Sequence, residues 1–429
     1  MSAIEKEPVK KKNFWASLGP GFVTGASDDD PSGIATYSQA GASFGLATLW
    51  TALITFPLMA AIQGMCARIG MVTSSGLTTT LKTHYPRWIL YVMLLFSFPA
   101  IALNIGSDIA GMGAVGNMLL PAVPSIVFSA VFVVLLIICL VFFPYRKIAD
   151  ILKWLCLVLM VYAIVPFLIK QNGLEILKAT FIPHITWSKE YISVLVAILG
   201  TTISPYLFFW QASMEKEDKE EKSHLNTSPL KRKKAVIVNK QDITDMKFDV
   251  NIGMFFSNVV MFFIILTTGS VLFKAGVRNI TSVTEAASAL KPLAGNAAFL
   301  LFAIGIIGTG FLAIPVLAGS ISYMLAETFG WEEGLNKKWN EAKGFYMILA
   351  VSIIIGFGIN LLDINPIKAL IFTAIAYGVT APVLIAIILH ICNNKKIMGN
   401  FTNAPLSNIL GFLTLILMTV AVVALFVTM

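Results

Sequence analysis

Charged side chains are scarce in this sequence. Aspartate, glutamate, lysine and arginine make up 13% of the 429 residues, whereas an ordinary soluble domain carries about 25%. Hydrophobic residues make up 57% of the chain, and apolar runs of about 20 residues, long enough to cross a bilayer as a helix, recur along it. This composition excludes an ordinary soluble domain and predicts an all-α integral membrane protein.

Cysteine and histidine are also few, with four of each. They are scattered in spans, span ends and loops, at Cys66, Cys139, Cys156, Cys392, His84, His184, His224 and His390. The cysteines form no disulfide framework and no paired metal motif. We assign no metal role to the histidines.

Eleven membrane spans are predicted from the apolar runs. Their bounds are 14–44, 47–71, 87–119, 124–144, 149–170, 190–214, 249–273, 294–327, 344–362, 366–392 and 405–428. Polar residues and prolines interrupt two of these spans, span 1 at 27–33 and span 6 at 200–206.

The distribution of positive charge predicts the orientation. If the N-terminal segment 1–13 is cytoplasmic, most lysine and arginine residues fall on the cytoplasmic side, as the positive-inside rule requires. We expect a multi-pass protein of the cell membrane without a cleavable signal peptide. The net charge of +8 then reflects topology and not nucleic-acid binding. The mixed-charge loop 215–248 is predicted to be a solvated helix extension followed by a flexible linker.

The first span contains three consecutive carboxylates, Asp28, Asp29 and Asp30. One aspartate at the centre of a membrane helix costs about 2.5–3.5 kcal/mol, and three cost about 8–10 if the terms add. Pro31 follows directly and breaks the helix. We predict that this break presents carboxylates and free carbonyls to a cation at the bilayer midplane. The alternative is that the aspartates lie in a surface loop.

The sixth span has a second interruption, Gly-Thr-Thr-Ile-Ser-Pro over 200–205. Taken alone, it is compatible with an ordinary proline kink. Spans 1 and 6 each begin a set of five, however, and interrupted helices at matching places in two halves point to a transporter binding site. We therefore predict inverted repeats over 14–170 and 190–392, with the span 405–428 appended.

An ordered series of motifs resembles the Nramp family of divalent metal transporters. The motifs are Gly19–Phe22, Asp30–Gly33, Ala35–Thr36, Gln39–Ala42, Ser107–Gly111, Ser204–Tyr206 and Asn394–Gly399. The resemblance covers most of the chain. It implies a LeuT-like fold, 5+5 inverted repeats plus one helix, and alternating access. It also implies a transporter rather than an enzyme, with no cofactor besides the transported cation.

The chain departs from the family at the implied metal site. In the family, an aspartate and an asparagine of span 1 and a methionine of span 6 bind the metal. The corresponding places here hold Asp30, Gly33 and Ser204. The resemblance leaves the backbone carbonyls of Ser27 and Thr201 as further ligands.

These departures change the expected ion. A thioether favours transition metals, and a hydroxyl in its place removes that preference. Glycine at 33 is expected to enlarge the site. Mg²⁺ prefers a roomy oxygen site that holds waters and one or two carboxylates. Asp29 and Asp30, with Asp28 as a third candidate, therefore predict binding of partly hydrated Mg²⁺, with Mn²⁺ also accepted, as in the divergent Nramp-related branch associated with magnesium uptake.

Proton coupling is expected to be absent. The family's relay uses acidic residues of span 3 and a histidine of span 6. Asp108 is retained, but the other acidic places hold Gly111 and approximately Ile101, and the histidine place holds Tyr206. Asp108 and Tyr206 stay candidates for a gate or relay, although we expect Tyr206 simply to pack.

Other functions fit the sequence less well. A proton-coupled Mn²⁺ or Fe²⁺ importer keeps the class and changes the ion. An amino-acid transporter of the same fold is a second alternative, but the three aspartates would repel the carboxylate of its substrate. A Mg²⁺-dependent membrane enzyme would need a second acidic cluster and basic partners that the spans lack. The expected partners are a divalent cation and the lipid bilayer, with the protein acting as a monomer.

Overall fold

The computed structural model describes residues 19–142, 157–226, 238–362 and 364–428, and the regular structure in these ranges is helical. The α-helices of these ranges are α1 (Pro20–Asp28), α2 (Pro31–Phe44), α3 (Trp50–Thr73), α4 (Leu77–His84), α5 (Arg87–Leu119), α6 (Ser125–Phe142), α7 (Val161–Leu168), α8 (Gly173–Phe181), α9 (Lys189–Thr202), α10 (Pro205–Asn226), α11 (Lys240–Val271), α12 (Val283–Ala287), α13 (Lys291–Ala294), α14 (Ala298–Phe329), α15 (Lys343–Ile359), α16 (Pro366–Asn393), α17 (Lys395–Met398) and α18 (Pro405–Thr428).

Nine segments of the described ranges are long and apolar enough to cross a membrane. They are α3, α5, α6, α9 with the first part of α10, α11, α14, α15, α16 and α18. The split helix α1–α2 occupies the place of predicted span 1. The predicted segment 1–13 and the first part of span 5 lie outside the described residues. The all-α membrane fold is confirmed, whereas the division into two repeats stays a prediction.

Both predicted helix breaks are present. α1 ends at Asp28, and Asp29 leaves the helical region with φ −83° and ψ 53°. Pro31 then opens α2, where its missing N–H is tolerated. In span 6, Ile203 has φ −112° and ψ 59°, and Pro205 opens α10. A proline at the start of the second half-helix therefore accompanies each break.

Close backbone contacts hold the broken helices against their neighbours. A Cβ atom built on Gly25 of α1 would lie 2.2 Å from the carbonyl carbon of Gly253 in α11. One built on Gly200 of α9 would lie 2.1 Å from the carbonyl oxygen of Ala374 in α16. Only glycine fits at these contacts, so small residues position both breaks inside the bundle.

The segment 215–248 differs from its prediction. Its first part continues α10 to Asn226, its last part belongs to α11, and 227–237 lies outside the described residues. The extension is helical as expected, but one of its faces is buried and not solvated, because it packs on neighbouring helices. Lys219 there is 8% exposed and donates from Nζ to the carbonyl oxygen of Met71, at 2.7 Å.

The same extension contributes to a group that we call the Glu–Lys cluster, made of the buried Glu217 and Glu327 and the partly buried Lys216 and Glu333. Lys216 Nζ pairs with Glu333 Oε1 at 2.7 Å. The other two carboxylates accept hydrogen bonds from hydroxyl and backbone N–H groups. Their donors are Tyr323 Oη and Leu335 N for Glu217, and Thr79 N and Ser213 Oγ for Glu327.

Candidate metal site

The three consecutive aspartates lie deep inside the protein at the break between α1 and α2. Asp28, Asp29 and Asp30 are 0%, 1% and 2% exposed. The surface-loop alternative for these residues is therefore wrong. They are held inside because α1 packs on α11 through Gly25 while α2 continues into the core.

Asp30 is fixed by two hydrogen bonds. As the N-cap of α2, it accepts from the backbone N–H of Gly33 through Oδ1 at 2.6 Å. Its Oδ2 accepts from Asn104 Nδ2 of α5 at 2.8 Å. Asn104 in turn accepts from Thr373 Oγ1 of α16 at 3.1 Å. One carboxylate of the break is therefore oriented toward α5.

Asp28 and Asp29 have a different hydrogen-bond partner. Ser257 of α11 donates from Oγ to Asp28 Oδ2 at 2.8 Å and lies 3.4 Å from Asp29 Oδ1. The other oxygen of Asp28, Oδ1, has no hydrogen-bond partner among the described residues. Asp28 and Asp29 therefore contact α11, whereas Asp30 contacts α5.

The two backbone carbonyls expected as ligands already accept hydrogen bonds from hydroxyl groups. Tyr206 donates to the carbonyl oxygen of Ser27 at 2.9 Å. Ser204 donates to the carbonyl oxygen of Thr201 at 2.5 Å. The expectation that Tyr206 only packs is wrong, because its hydroxyl closes one of the implied ligand groups and joins the two broken helices. A cation that used both lone pairs would have to displace these donors.

The space expected beside Gly33 is filled in this structure. A Cβ atom at Gly33 would lie 3.3 Å from both the carbonyl oxygen of Asp28 and Thr201 Oγ1, and 3.5 Å from Asp30 Oδ1. The predicted enlargement is therefore absent from this closed arrangement, since the two helix breaks pack against each other. Glycine leaves no more than room for the close contact.

Asp108 lies on α5 beside the start of α2 and is fully buried. Neither of its carboxylate oxygens has a hydrogen-bond partner in the described ranges. The role proposed for it from sequence, in a gate or relay, stays a prediction.

Asn104 and Ser257 contact the site, but the sequence reasoning missed both. A signal for Asn104 was available, since it lies four residues before Asp108 and hence on the same face of one helix. Ser257 stands with Asn258 as a polar pair inside an apolar span.

Over the described residues, no three His, Cys, Asp or Glu side chains converge in a geometry that could hold a metal. The aspartates are therefore close together but do not form one shared cage here.

The pattern described as Natural resistance-associated macrophage protein-like, or Nramp, matches residues 21–428. The chain belongs to the Nramp family. It is 25% identical over 411 residues to the "Divalent metal cation transporter MntH" of Caldanaerobacter subterraneus subsp. tengcongensis, covering 94% of this chain and 91% of that protein. It is 24% identical to the protein of the same name from Klebsiella pneumoniae subsp. pneumoniae, covering 90% and 88%.

Solved structures agree with the Nramp assignment at the level of fold. The manganese transporter of Eremococcus coleocola superposes with a TM-score of 0.71 at 17% identity, covering 97% of this chain and 87% of that one. Mhp1, a nucleobase-cation-symport-1 family transporter in a closed conformation, superposes with a TM-score of 0.56 at 11% identity, covering 96% and 92%. These likenesses confirm the predicted LeuT-like fold.

Proposed function

We propose that this Nramp-family chain carries divalent cations across the cell membrane by alternating access, and that its substrate is partly hydrated Mg²⁺, with Mn²⁺ also accepted. The observation that carries the proposal is an uncompensated acidic site. Asp28, Asp29 and Asp30 are buried, and none of them belongs to an ion pair among the described residues. A buried charge must be paired or neutralised, and a visiting cation supplies that charge.

The polar groups around the aspartates favour a hard ion, because the side-chain atoms there that could bind a cation are oxygens. Within the described ranges, the hydrogen-bond partners of the three carboxylates are hydroxyl, amide and backbone N–H groups, from Ser257, Asn104 and Gly33. Oxygen ligands and retained waters suit Mg²⁺, and Mn²⁺ is the transition ion that most readily shares such a site. The names of the relatives also support a divalent metal as the substrate class.

The closed site supports alternating access. The Tyr206 hydroxyl on the Ser27 carbonyl joins α1 to α10, and both breaks lie beside this hydrogen bond. Separation of α1 from α10 would free the Ser27 carbonyl and open a path to the aspartates. A binding site midway along the bundle can then open to one side at a time.

We propose that the membrane potential drives uptake without a coupled proton. Tyr206 occupies the family's histidine place, and Gly111 and approximately Ile101 occupy acidic places, so a continuous series of titratable groups is lacking. A divalent ion gains about 4.6 kcal/mol per 100 mV, inside negative. The chain is further proposed to be a monomer rather than an enzyme, with a cytoplasmic N-terminus.

Uptake into proteoliposomes tests this function. We expect wild-type protein to take up Mg²⁺ and Mn²⁺, and Asp29→Ala and Asp30→Ala to reduce the initial rate by about 100-fold, since each removes a carboxylate from the site. Asp245→Ala is the matched control, because Asp245 is an exposed aspartate of α11, and it should leave the rate unchanged. Wild-type rates in both aspartate variants would contradict the proposed site.

A pH-sensitive dye inside the same liposomes tests coupling. Uncoupled transport predicts metal uptake without acidification of the lumen. Acidification that saturates together with Mn²⁺ uptake would instead establish the alternative, a proton-coupled Mn²⁺ or Fe²⁺ importer.

A further inference from the structure

The acidic side chains around the first helix break face two different helices. Ser257 of α11 holds Asp28 and approaches Asp29. Asn104 of α5 holds Asp30 at 2.8 Å. These hydrogen bonds place Asp28 and Asp29 on the α11 side of the break and Asp30 on the α5 side.

Asp108 lies on the Asp30 side. On α5 it stands between Asn104, four residues earlier, and Gly111, three residues later, so the three share one face. Asn104 bonds to Asp30, and a Cβ on Gly111 would lie 3.7 Å from Pro31 Cβ. Asp108 is therefore directed at the start of α2.

Buried polar atoms without partners accompany each acidic pair. Near Asp30, neither oxygen of Asp108 is hydrogen-bonded within the described residues, nor is the hydroxyl of Tyr377, whose ring centroid lies 5.7 Å from that of Tyr206. On the other side, Asp28 Oδ1 is also without a partner. An unsatisfied buried group costs about 1–3 kcal/mol, and more when it is charged. A hydrated cation would satisfy these groups on either side.

We propose that the transport path holds two cation subsites, one at Asp28 and Asp29 beside Ser257, and a second at Asp30 and Asp108 beside Asn104 and Tyr377. The inference rests on the proposed function. A divalent ion with part of its water shell moves from one pair of carboxylates to the other. Asp108 is then a ligand of the second subsite, directly or through water, and Tyr377 donates to a water of that ion.

A cycle of variants measured by Mn²⁺ binding tests the two subsites. With one ion shared between them, Asp30→Asn and Asp108→Asn should weaken Mn²⁺ binding by a similar factor, about twofold if the subsites bind equally. The ion still binds the intact subsite in these variants, although it can no longer pass along the whole path, so uptake falls much more than binding. The double variant should lose no more than either single one. Asp28→Asn combined with Asp108→Asn damages both subsites and should weaken binding at least about tenfold.

Stability separates binding from a structural role for Asp108. Asp108→Asn removes an unpaired buried carboxylate, so we expect its melting temperature to rise while Mn²⁺ affinity falls. Tyr377→Phe removes an unpartnered hydroxyl and should likewise fold normally and weaken binding. Ser107→Ala is the control, because that hydroxyl bonds within α5, to the carbonyl oxygen of Leu103.

Two results would overturn the second subsite. One is wild-type Mn²⁺ affinity in both Asp108→Asn and Tyr377→Phe. The other is multiplication of the Asp30→Asn and Asp108→Asn effects in the double variant. Failure of uptake with the binding cycle intact would reject only the transport function, whereas normal uptake with a failed cycle would reject only the subsites.

Discussion

Two groups of buried carboxylates lie in this protein, and their surroundings differ. In the Glu–Lys cluster, Lys216 pairs with Glu333, and Glu217 and Glu327 accept bonds from fixed donors. At the helix break, Asp28, Asp29 and Asp30 have neutral donors and no basic partner among the described ion pairs. The first group has a basic partner in Lys216, whereas the second has none among the described ion pairs and is proposed to take its counter-charge from a cation.

The two groups consist of the same kind of acidic side chain, but their surroundings give them different roles. The Glu–Lys cluster joins α10, α14 and the segment 331–335, and it borders a cavity of about 450 Å³. Its carboxylates fasten helices together. The aspartates at the break also bond to α5 and α11, but Asp28 Oδ1 has no partner within the described ranges. That oxygen is therefore available to a cation.

The largest difference in cation uptake is expected between a variant of the aspartate group and a variant of the Glu–Lys cluster. Asp30→Asn should lower Mg²⁺ uptake about 100-fold, because an amide cannot balance the ion. Glu327→Gln should lower the yield of folded protein only slightly, because its amide oxygen can accept from Thr79 N while its NH₂ group donates to Ser213 Oγ. Uptake per folded molecule should stay within about threefold of wild type. Equal losses of uptake in the two variants would contradict the assignment of the aspartates to cation binding and of Glu327 to structure.

A smaller effect is expected from breaking the ion pair of the cluster. Lys216→Met should lower the free energy of unfolding by about 1–2 kcal/mol, because the pair is only partly buried. Burial raises the pKa of the Glu333 carboxyl, and Lys216 partly opposes that rise. A raised folded pKa means that stability is lost as the pH rises through it.

The decrease in the free energy of unfolding caused by Lys216→Met should therefore be larger at about pH 8 than at about pH 5. At the lower pH, Glu333 is more often protonated and needs its lysine less. Thermal unfolding of purified protein at the two pH values measures this. A loss independent of pH would show that Glu333 does not respond to its lysine. Lys337→Met, which removes an exposed partner of Glu332, is the control and should change the melting temperature little.

The smallest effect is expected at Glu285, a partly exposed carboxylate outside both groups, which serves as the baseline for them. Hydrogen bonds from the N–H and hydroxyl of Thr281 lower the pKa of Glu285. Its stabilisation is present above the unfolded pKa and is lost as the pH falls through the lowered folded value. Glu285→Gln should flatten this acid dependence, with a change in melting temperature of about 1 °C or less. A shift as large as that of Lys216→Met would contradict the ranking.

Much of the fold could be predicted because lipid restricts the backbone. A spanning chain must satisfy its own hydrogen bonds, so apolar runs become helices, and predicted span 3 has the bounds of α5, Arg87–Leu119. Proline cannot donate, so both helix breaks were visible in the sequence. The burial of the extension after 215 was not visible, because its charges resemble a solvated surface until Tyr323 and Leu335 are placed beside them.

Chain order places Asp28, Asp29 and Asp30 directly before Pro31, and this local pattern is enough to predict carboxylates at a helix break inside an apolar span. The direction in which each carboxylate faces depends on packing between distant helices. Asn104 and Ser257 reach the break from helices far along the chain. Their approach depends on close glycine contacts such as Gly25 on Gly253, and such long-range packing is not encoded in any local pattern.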